Sequence, residues 1–177
     1  MEEQLIRKAA LFAADAHRGQ VRKYSGTPYM VHPAAVAYTV RTVTSNPHMI
    51  AAAYLHDVVE DTGVELRDIR RHFGERVARL VSDLTDVSVP EDGNRALRKA
   101  IDREHTAYGS PDAHTIKLAD ILDNLSDIQA NDPWLAKVYM QEKMLLLPLL
   151  ADGDSVLWAR ASKVVSDYYN EGQAFSS

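Results

Sequence analysis

The stretch Ala51-Ala52-Ala53-Tyr54-Leu55-His56-Asp57-Val58-Val59-Glu60-Asp61-Thr62 sets one imidazole and three carboxylates into an otherwise apolar run. It reads as a buried helix, opened by Asn46 as N-cap with Pro47 at the first helical position and closed near Asp61-Thr62-Gly63. Positions three and four apart share a helix face, so His56 neighbours Glu60, and Asp57 neighbours both Glu60 and Asp61. Ala, Leu, Tyr and Val cover the other faces. Packing these charges together in an apolar segment is unfavourable unless something compensates them. A divalent cation with bound water is the simplest compensation.

Working outward, the rest of the chain carries helical spacing and no strand pattern. Leu5, Ile6, Ala9, Ala10, Phe12, Ala13 and Ala16 mark a helix over 3–17, with Gly19 as its C-terminal cap. A loop of basic, aromatic and turn residues, 20–33, leads into a helix over 33–44 with Val36, Val40 and Val43 inward. Beyond the central helix, Leu66, Ile69 and Phe73 stop at Gly74, and Val77, Leu80, Val81 and Leu84 continue at helical spacing. Residues 86–93 lack periodicity and read as a loop, after which Asn94 caps a helix to about Tyr108. Ser110-Pro111 and Asp132-Pro133 each repeat the cap-plus-proline start, and Pro148 bends or ends the second of these helices. A last amphipathic helix covers about 154–169, and the polar tail 170–177 reads as mobile. Trp134, Tyr168 and Tyr169 read as packing residues. The expectation is an all-α, single-domain bundle of roughly eight to ten helices over 1–177, its motifs within about 10–128 and further helices over about 133–169.

Composition is that of a globular protein: 46% hydrophobic, 25% charged, with 8 Gly and 7 Pro in 177 residues. A net charge of -5 argues against a general nucleic-acid binder, while a local basic patch can still hold a phosphorylated small molecule. With no cysteine, disulfides and Cys-ligated metal are excluded, so any metal takes His and carboxylates. No signal peptide is visible, and no apolar run approaches the roughly 20 residues that span a bilayer. A cytoplasmic location with no membrane partner is expected; a homo-oligomer stays open.

His32 at a loop-to-helix junction, His56 and Asp57 on the central helix, and Asp120 on a distant helix form the candidate ligand set. Two imidazoles and two carboxylates leave positions for water, which suits octahedral Mn²⁺ or Fe²⁺ better than closed tetrahedral Zn²⁺, though zinc stays open. A second polar stripe, Lys117, Asp120 and Asn124 at i, i+3 and i+7, supports the set. A lone histidine is usually a surface or satisfied core residue, and His17, His48, His72, His105 and His114 are read that way. Arg22 and Lys23 are either a solvated pair or a phosphate-neutralising one. Lys117 pairs with Asp120 or Asp57, or offsets substrate charge. Tyr29 stacks on a base or packs beneath the loop, and Arg67, Arg70 and Arg71 form a solvated face.

Together these residues resemble the HD-domain metal phosphohydrolases, whose pattern is His … His-Asp … Asp. The resemblance is closer to the hydrolase domain of the RelA/SpoT alarmone enzymes. It is carried by Ala16-His17-Arg18-Gly19-Gln20, Arg22-Lys23, Ser25-Gly26-Thr27-Pro28-Tyr29, Val31-His32-Pro33, Leu55-His56-Asp57-Val58-Val59-Glu60-Asp61-Thr62, Phe73-Gly74 and Ile116-Lys117-Leu118-Ala119-Asp120. Without a synthetase domain, the chain is most similar to the small stand-alone alarmone hydrolases, including the metazoan SpoT homologue type. The resemblance implies that His32, His56, Asp57 and Asp120 bind Mn²⁺ and that Glu60 and Asp61 activate water and transfer protons. It also implies that Arg22 and Lys23 lie near the nucleotide and that Asn124 approaches its ribose. The implied reaction removes the 3′-diphosphate of (p)ppGpp, giving GDP or GTP and pyrophosphate. One departure stands out: Asp120-Ile121-Leu122-Asp123-Asn124 replaces the frequent Asp-Arg-Leu-His-Asn. It leaves the metal set intact and opens adenosine alarmones or NADPH 2′-phosphate as alternatives, beside a non-catalytic nucleotide-binding module.

Overall fold

A computed structural model of the chain describes residues 2–23 and 25–174, with the side chains at 133, 134 and 171–174 outside that description. The packing role expected of Trp134 therefore lies outside the described residues, as do tail residues 175–177. Helices run in the order α1 (Glu2–Ala16), α2 (Val31–Arg41), α3 (Pro47–Leu55), α4 (Val58–Asp61), α5 (Leu66–Phe73) and α6 (Glu75–Leu84). They continue with α7 (Arg95–Ala107), α8 (Pro111–Asn131), α9 (Pro133–Leu146) and α10 (Ser155–Ala174), and 3-10 turns stand at Pro90–Asp92 and Leu147–Leu150. The only β pairing among the described residues is an isolated bridge between Val21 and Pro28. No helix among them is long and apolar enough to cross a membrane.

Helix α3 is the centre of the packing. Met49, Ile50, Ala51, Ala52, Ala53 and Leu55 are all buried, which leaves it apolar on every side. Helices α1 and α2 pack against it, presenting Ala9 and Ala13 from one and Val36, Ala37 and Val40 from the other. Helix α8 lies on α2 and brings Ile116, Leu118, Ala119, Ile121 and Leu125 into the same core. Because α2, α3 and α8 meet, any polar residue at their junction is drawn from three separate parts of the sequence. Helices α9 and α10 close over α8 with Met140, Leu157, Ala161 and Val165, and Trp158 Nε1 donates to the Leu147 carbonyl at 2.8 Å.

The caps read from the sequence are formed. Asn46 accepts from the His48 amide, Asn94 from Leu97, Ser110 from Ala113 and Asp132 from Leu135. Gly74 takes a φ of 84° at the corner between α5 and α6, a left-handed value that a side chain would resist.

Four details differ from the sequence expectation. Helix α2 starts at Val31, with Pro33 tolerated in its first turn, and ends at Arg41. The loop 86–93 contains the 3-10 turn at Pro90–Asp92. The last helix continues to Ala174, so part of the expected tail is helical. Most consequential, the central helix is interrupted at His56-Asp57 and resumes only for the four residues of α4. The physical reason is a captured carbonyl: His56 Nδ1 donates to Ala53 O at 2.9 Å, the acceptor that a continuing helix would offer to the Asp57 amide. Asp57 remains near helical torsions, with φ -97° and ψ -5°, and its own carbonyl accepts from the Asp61 amide at 2.8 Å.

Candidate metal centre

The interruption aims two consecutive residues at one point, which an unbroken helix, turning about 100° per residue, does not do. His56 Nε2 stands 3.1 Å from Asp57 Oδ2, and His32 Nε2, arriving from the first turn of α2, is 3.4 Å from the same oxygen. The two imidazole Nε2 atoms are 3.2 Å apart. Asp120, from the middle of α8, brings Oδ1 to 3.3 Å from His32 Nε2 and 3.8 Å from His56 Nε2. His32, His56 and Asp57 offer atoms within 4.8 Å of one another, and Asp120 adds a fourth oxygen from α8.

Tautomers follow from the outer partners. A carbonyl only accepts, so His56 Nδ1 carries its proton toward Ala53 O. His32 Nδ1 donates likewise to the Asp123 carboxylate at 2.7 Å. Once a cation displaces the Nε2 protons, both rings turn Nε2 lone pairs inward, toward each other and toward two carboxylate oxygens. Adjacent ligands of a cation with bonds of about 2.1 Å stand roughly 3 Å apart, which is the spacing of these donors. The donor set fits a divalent metal held by His32, His56, Asp57 and Asp120.

The electrostatics agree. Burial alone would pull the imidazole pKa values down, but the carboxylates of Asp120, Asp123 and Asp57 push His32 up to about 11, and Asp57 and Asp120 push His56 up to about 9. Asp57, whose burial would raise its pKa, is held below the usual range by His56 and His32. Asp120 is held low chiefly by Lys117, whose Nζ lies 3.0 Å from Asp120 Oδ2. The pocket holds positive charge strongly, and a cation competes for the same lone pairs as those protons.

Around this centre the remaining candidates divide. The Tyr29 hydroxyl reaches Asp57 Oδ2 at 2.6 Å and Asp61 Oδ2 at 2.7 Å, so it lies between a ligand carboxylate and one of the acidic pair. Asn124 donates from Nδ2 to Asp120 Oδ1 at 2.6 Å. Lys117 chooses Asp120 over Asp57 as its contact partner. Glu60 turns the other way: it accepts from the Asp86 amide at 3.2 Å and lines a cavity of about 490 Å³ with Thr85, Asp86, Arg95, Arg98 and Lys99. Crowding by the protein walls, then the charges of Asp86 and Asp57, push its carboxyl up to about 7.

Arg22 is only 9% exposed, and its guanidinium is held by Asp123, by Asn124 Oδ1 at 3.3 Å and by Asp127 at 3.0 Å. Its charge faces α8 rather than open solvent. Lys23 beside it is exposed. Asp127 is the residue that sequence reasoning passed over, and Asp123, read there only as a departure near the nucleotide, supports the centre instead. Their signal was available: with Asp120 and Asn124 they lie at i, i+3, i+4 and i+7 on one face of α8. Asp123 in particular orients His32 and anchors Arg22. The other histidines keep structural roles where contacts are described, His105 donating to Ser82 O at 2.9 Å and His114 to Thr106 O at 3.0 Å.

Comparison with known proteins identifies the family. The HD domain model matches residues 9–152. The guanosine-3′,5′-bis(diphosphate) 3′-pyrophosphohydrolase MESH1 of Homo sapiens is 40% identical over 136 residues, covering 75% of this chain and 74% of that protein. The MESH1 protein of Drosophila melanogaster is 41% identical over 125 residues, covering 69% of this chain and 68% of its own. The solved structure of a metazoan orthologue of SpoT that hydrolyses ppGpp superposes with a TM-score of 0.83 at 31% identity, over 93% of this chain and 95% of that one. By the match over residues 9–152 and the identity to these relatives, the chain belongs to the HD-domain family, within its MESH1-type branch.

Proposed function

We propose that residues 1–177 act as one hydrolase unit that removes the 3′-diphosphate of a guanosine alarmone, (p)ppGpp, releasing pyrophosphate. One observation carries the reading: two imidazole lone pairs and two carboxylate oxygens converge, and Glu60, three residues on from the Asp57 whose charge its carboxyl feels, opens onto a cavity lined by Arg95, Arg98 and Lys99. A divalent cation, Mn²⁺ in this assignment with Fe²⁺ or Zn²⁺ as alternatives, supplies Lewis-acid polarisation of a phosphoryl oxygen and a lowered water pKa when bound. The chain supplies the rest. Glu60, with its pKa near 7, accepts the proton of the attacking water, and Asp61 orients that water. The new bond joins the water oxygen to phosphorus, and the bond from phosphorus to the ribose 3′ oxygen breaks, the leaving oxygen taking a proton. Lys117 and the cavity cations offset the charge of the diphosphate. Lys23 meets the nucleotide from the loop, Asn124 approaches the ribose, and Arg22 contributes by holding the α8 carboxylates.

The acidic Asp123, which opened the alternative of another base, is engaged with His32 and Arg22, so it carries no preference at the nucleotide. The guanosine reading therefore leads. The test is turnover of ppGpp, pppApp and NADPH by the protein as purified, after EDTA, and after Mn²⁺ add-back, scoring pyrophosphate against orthophosphate. Pyrophosphate from ppGpp, lost to EDTA and restored by Mn²⁺, is expected. Activity indifferent to chelation, or faster orthophosphate release from NADPH, overturns the reading.

A further inference from the structure

Helix α4 is too short to hold itself. A single helical turn fixes several torsions for very few hydrogen bonds, so four residues between an interrupted helix and Thr62-Gly63 need outside tethers. Asp61, the last residue of α4, has two. Gln20 donates from its side-chain amide to the Asp61 carbonyl at 2.9 Å, and the Tyr29 hydroxyl reaches the Asp61 carboxylate at 2.7 Å. Both tethers lead back to one buried residue, His17.

His17 is 3% exposed. Its Nδ1 lies 2.8 Å from Gln20 Oε1, and because the amide nitrogen of Gln20 faces Asp61 O, that oxygen accepts and Nδ1 carries the proton. The Gln20 carbonyl in turn accepts from the Tyr29 amide at 2.9 Å, and the Gln20 amide donates to the His17 carbonyl at 3.0 Å. The imidazole face lies against the Tyr29 ring with centroids 4.6 Å apart at 33°. The Tyr29 ring also meets His32 edge-on at 6.0 Å. His17 Nε2 is left buried with no partner. As packing alone this is a poor choice, since an apolar ring fills the space without burying a bare acceptor. An imidazole offers what an apolar ring does not: a flat face for Tyr29 together with a donor for Gln20.

We propose that His17, Gln20 and Tyr29 form a positioning relay that sets Asp61 against the ligand Asp57, the Tyr29 hydroxyl spanning the two carboxylates and His17 fixing both tethers. The relay assigns Tyr29 a place inside the site rather than under a nucleotide base. His17 and Gln20 act on the reaction only through Asp61 and Asp57. The inference rests on the metal-hydrolase reading for what those two carboxylates do.

Tyr29→Phe keeps the ring and removes only the bridge, so it preserves the fold while testing the relay. Outer partners of metal ligands typically govern affinity by about 10–100-fold, and a loss of that size is expected in Mn²⁺ titration of the metal-free variant, with free Mn²⁺ followed by electron paramagnetic resonance. Turnover should fall with KM for ppGpp close to wild type, because the bridge touches no substrate. Gln20→Ala, at a partly exposed position, should lower turnover in the same direction by less, and its effect should shrink when Tyr29 is already Phe. His17→Phe, which keeps the stacking face but not the donor, should match Gln20→Ala. A Tyr29→Phe protein with wild-type Mn²⁺ affinity and turnover overturns the relay. So does one whose KM rises at constant kcat, which makes Tyr29 a base-stacking residue, and so do Gln20 and Tyr29 effects that simply multiply. If the wild-type protein itself binds no metal and hydrolyses nothing on the panel, the functional reading fails instead.

Discussion

Helices α3 and α8 both deliver candidate ligands to the same centre, yet they do so in opposite ways. Helix α8 runs unbroken through Pro111–Asn131 and presents Lys117, Asp120, Asn124 and Asp127 along one face by period alone. Helix α3 ends at Leu55, and the two residues that follow it both turn into the site. The periodic element supplies one donor with a row of supports. The broken one supplies two adjacent donors and then, within a single turn, the acidic pair. Regular structure makes a scaffold for charge; a local break concentrates it.

The largest effect should come from removing the residue that makes the break. His56→Ala deletes a donor and also frees the Ala53 carbonyl to accept from the Asp57 amide, which lets α3 run on and turns Asp57 away. Metal-ion polarisation supplies several kcal/mol of transition-state stabilisation, and each 1.36 kcal/mol is tenfold in rate. Turnover should therefore fall by at least about 10³-fold, with Mn²⁺ lost on dialysis. Wild-type metal content in this variant would show that the break is incidental to the site.

Glu60 tests the second half of the broken element. Glu60→Gln preserves shape and removes the proposed base, so turnover should drop by about 10²–10⁴-fold while metal content stays unchanged. In the wild type, kcat/KM should rise as pH increases through about 7, because Glu60 must be ionised to accept a proton. The same elevation makes a stability statement. With the folded carboxyl at about 7 against 4.5 unfolded, stability drains away as pH rises through that window. Glu60→Gln escapes the loss, so its melting temperature should exceed that of the wild type above pH 7 and not below pH 4.5. An activity profile flat across pH 7, or a variant with normal turnover, removes Glu60 from the mechanism.

The contrast between the two helices also explains what the sequence made legible. Charged residues inside apolar helices announced His56, Asp57 and Asp120, since burial without compensation is costly. The proline-led caps marked both helix starts. The break itself was hidden, because His56 and Asp57 keep near-helical torsions and the difference lies in one carbonyl taken by a side chain. Long-range pairing was hidden too. Arg22 meets Asp123 across 101 positions and His32 meets Asp123 across 91, so neither the buried guanidinium nor the imidazole tautomer follows from local pattern. Asp123 looked like a departure at the nucleotide because only its neighbours in sequence were visible.

That residue gives the smallest and sharpest prediction. Asp123→Asn keeps the volume and the place on α8 but replaces a carboxylate that accepts from both His32 Nδ1 and Arg22. An amide can turn either its oxygen or its nitrogen toward the imidazole. With the nitrogen facing, His32 must carry its proton on Nε2, where the lone pair is needed by the metal. Mixed tautomers, and a less basic Nε2 when the oxygen faces, should weaken Mn²⁺ binding by about 10–100-fold and leave the fold intact. Nitrogen-15 chemical shifts of His32 in the protein loaded with diamagnetic Zn²⁺ report whether Nδ1 carries the proton and Nε2 faces the metal. Unchanged shifts together with unchanged affinity would mean that α8 needs only Asp120 at this centre, and that its row of supports serves stability rather than the site.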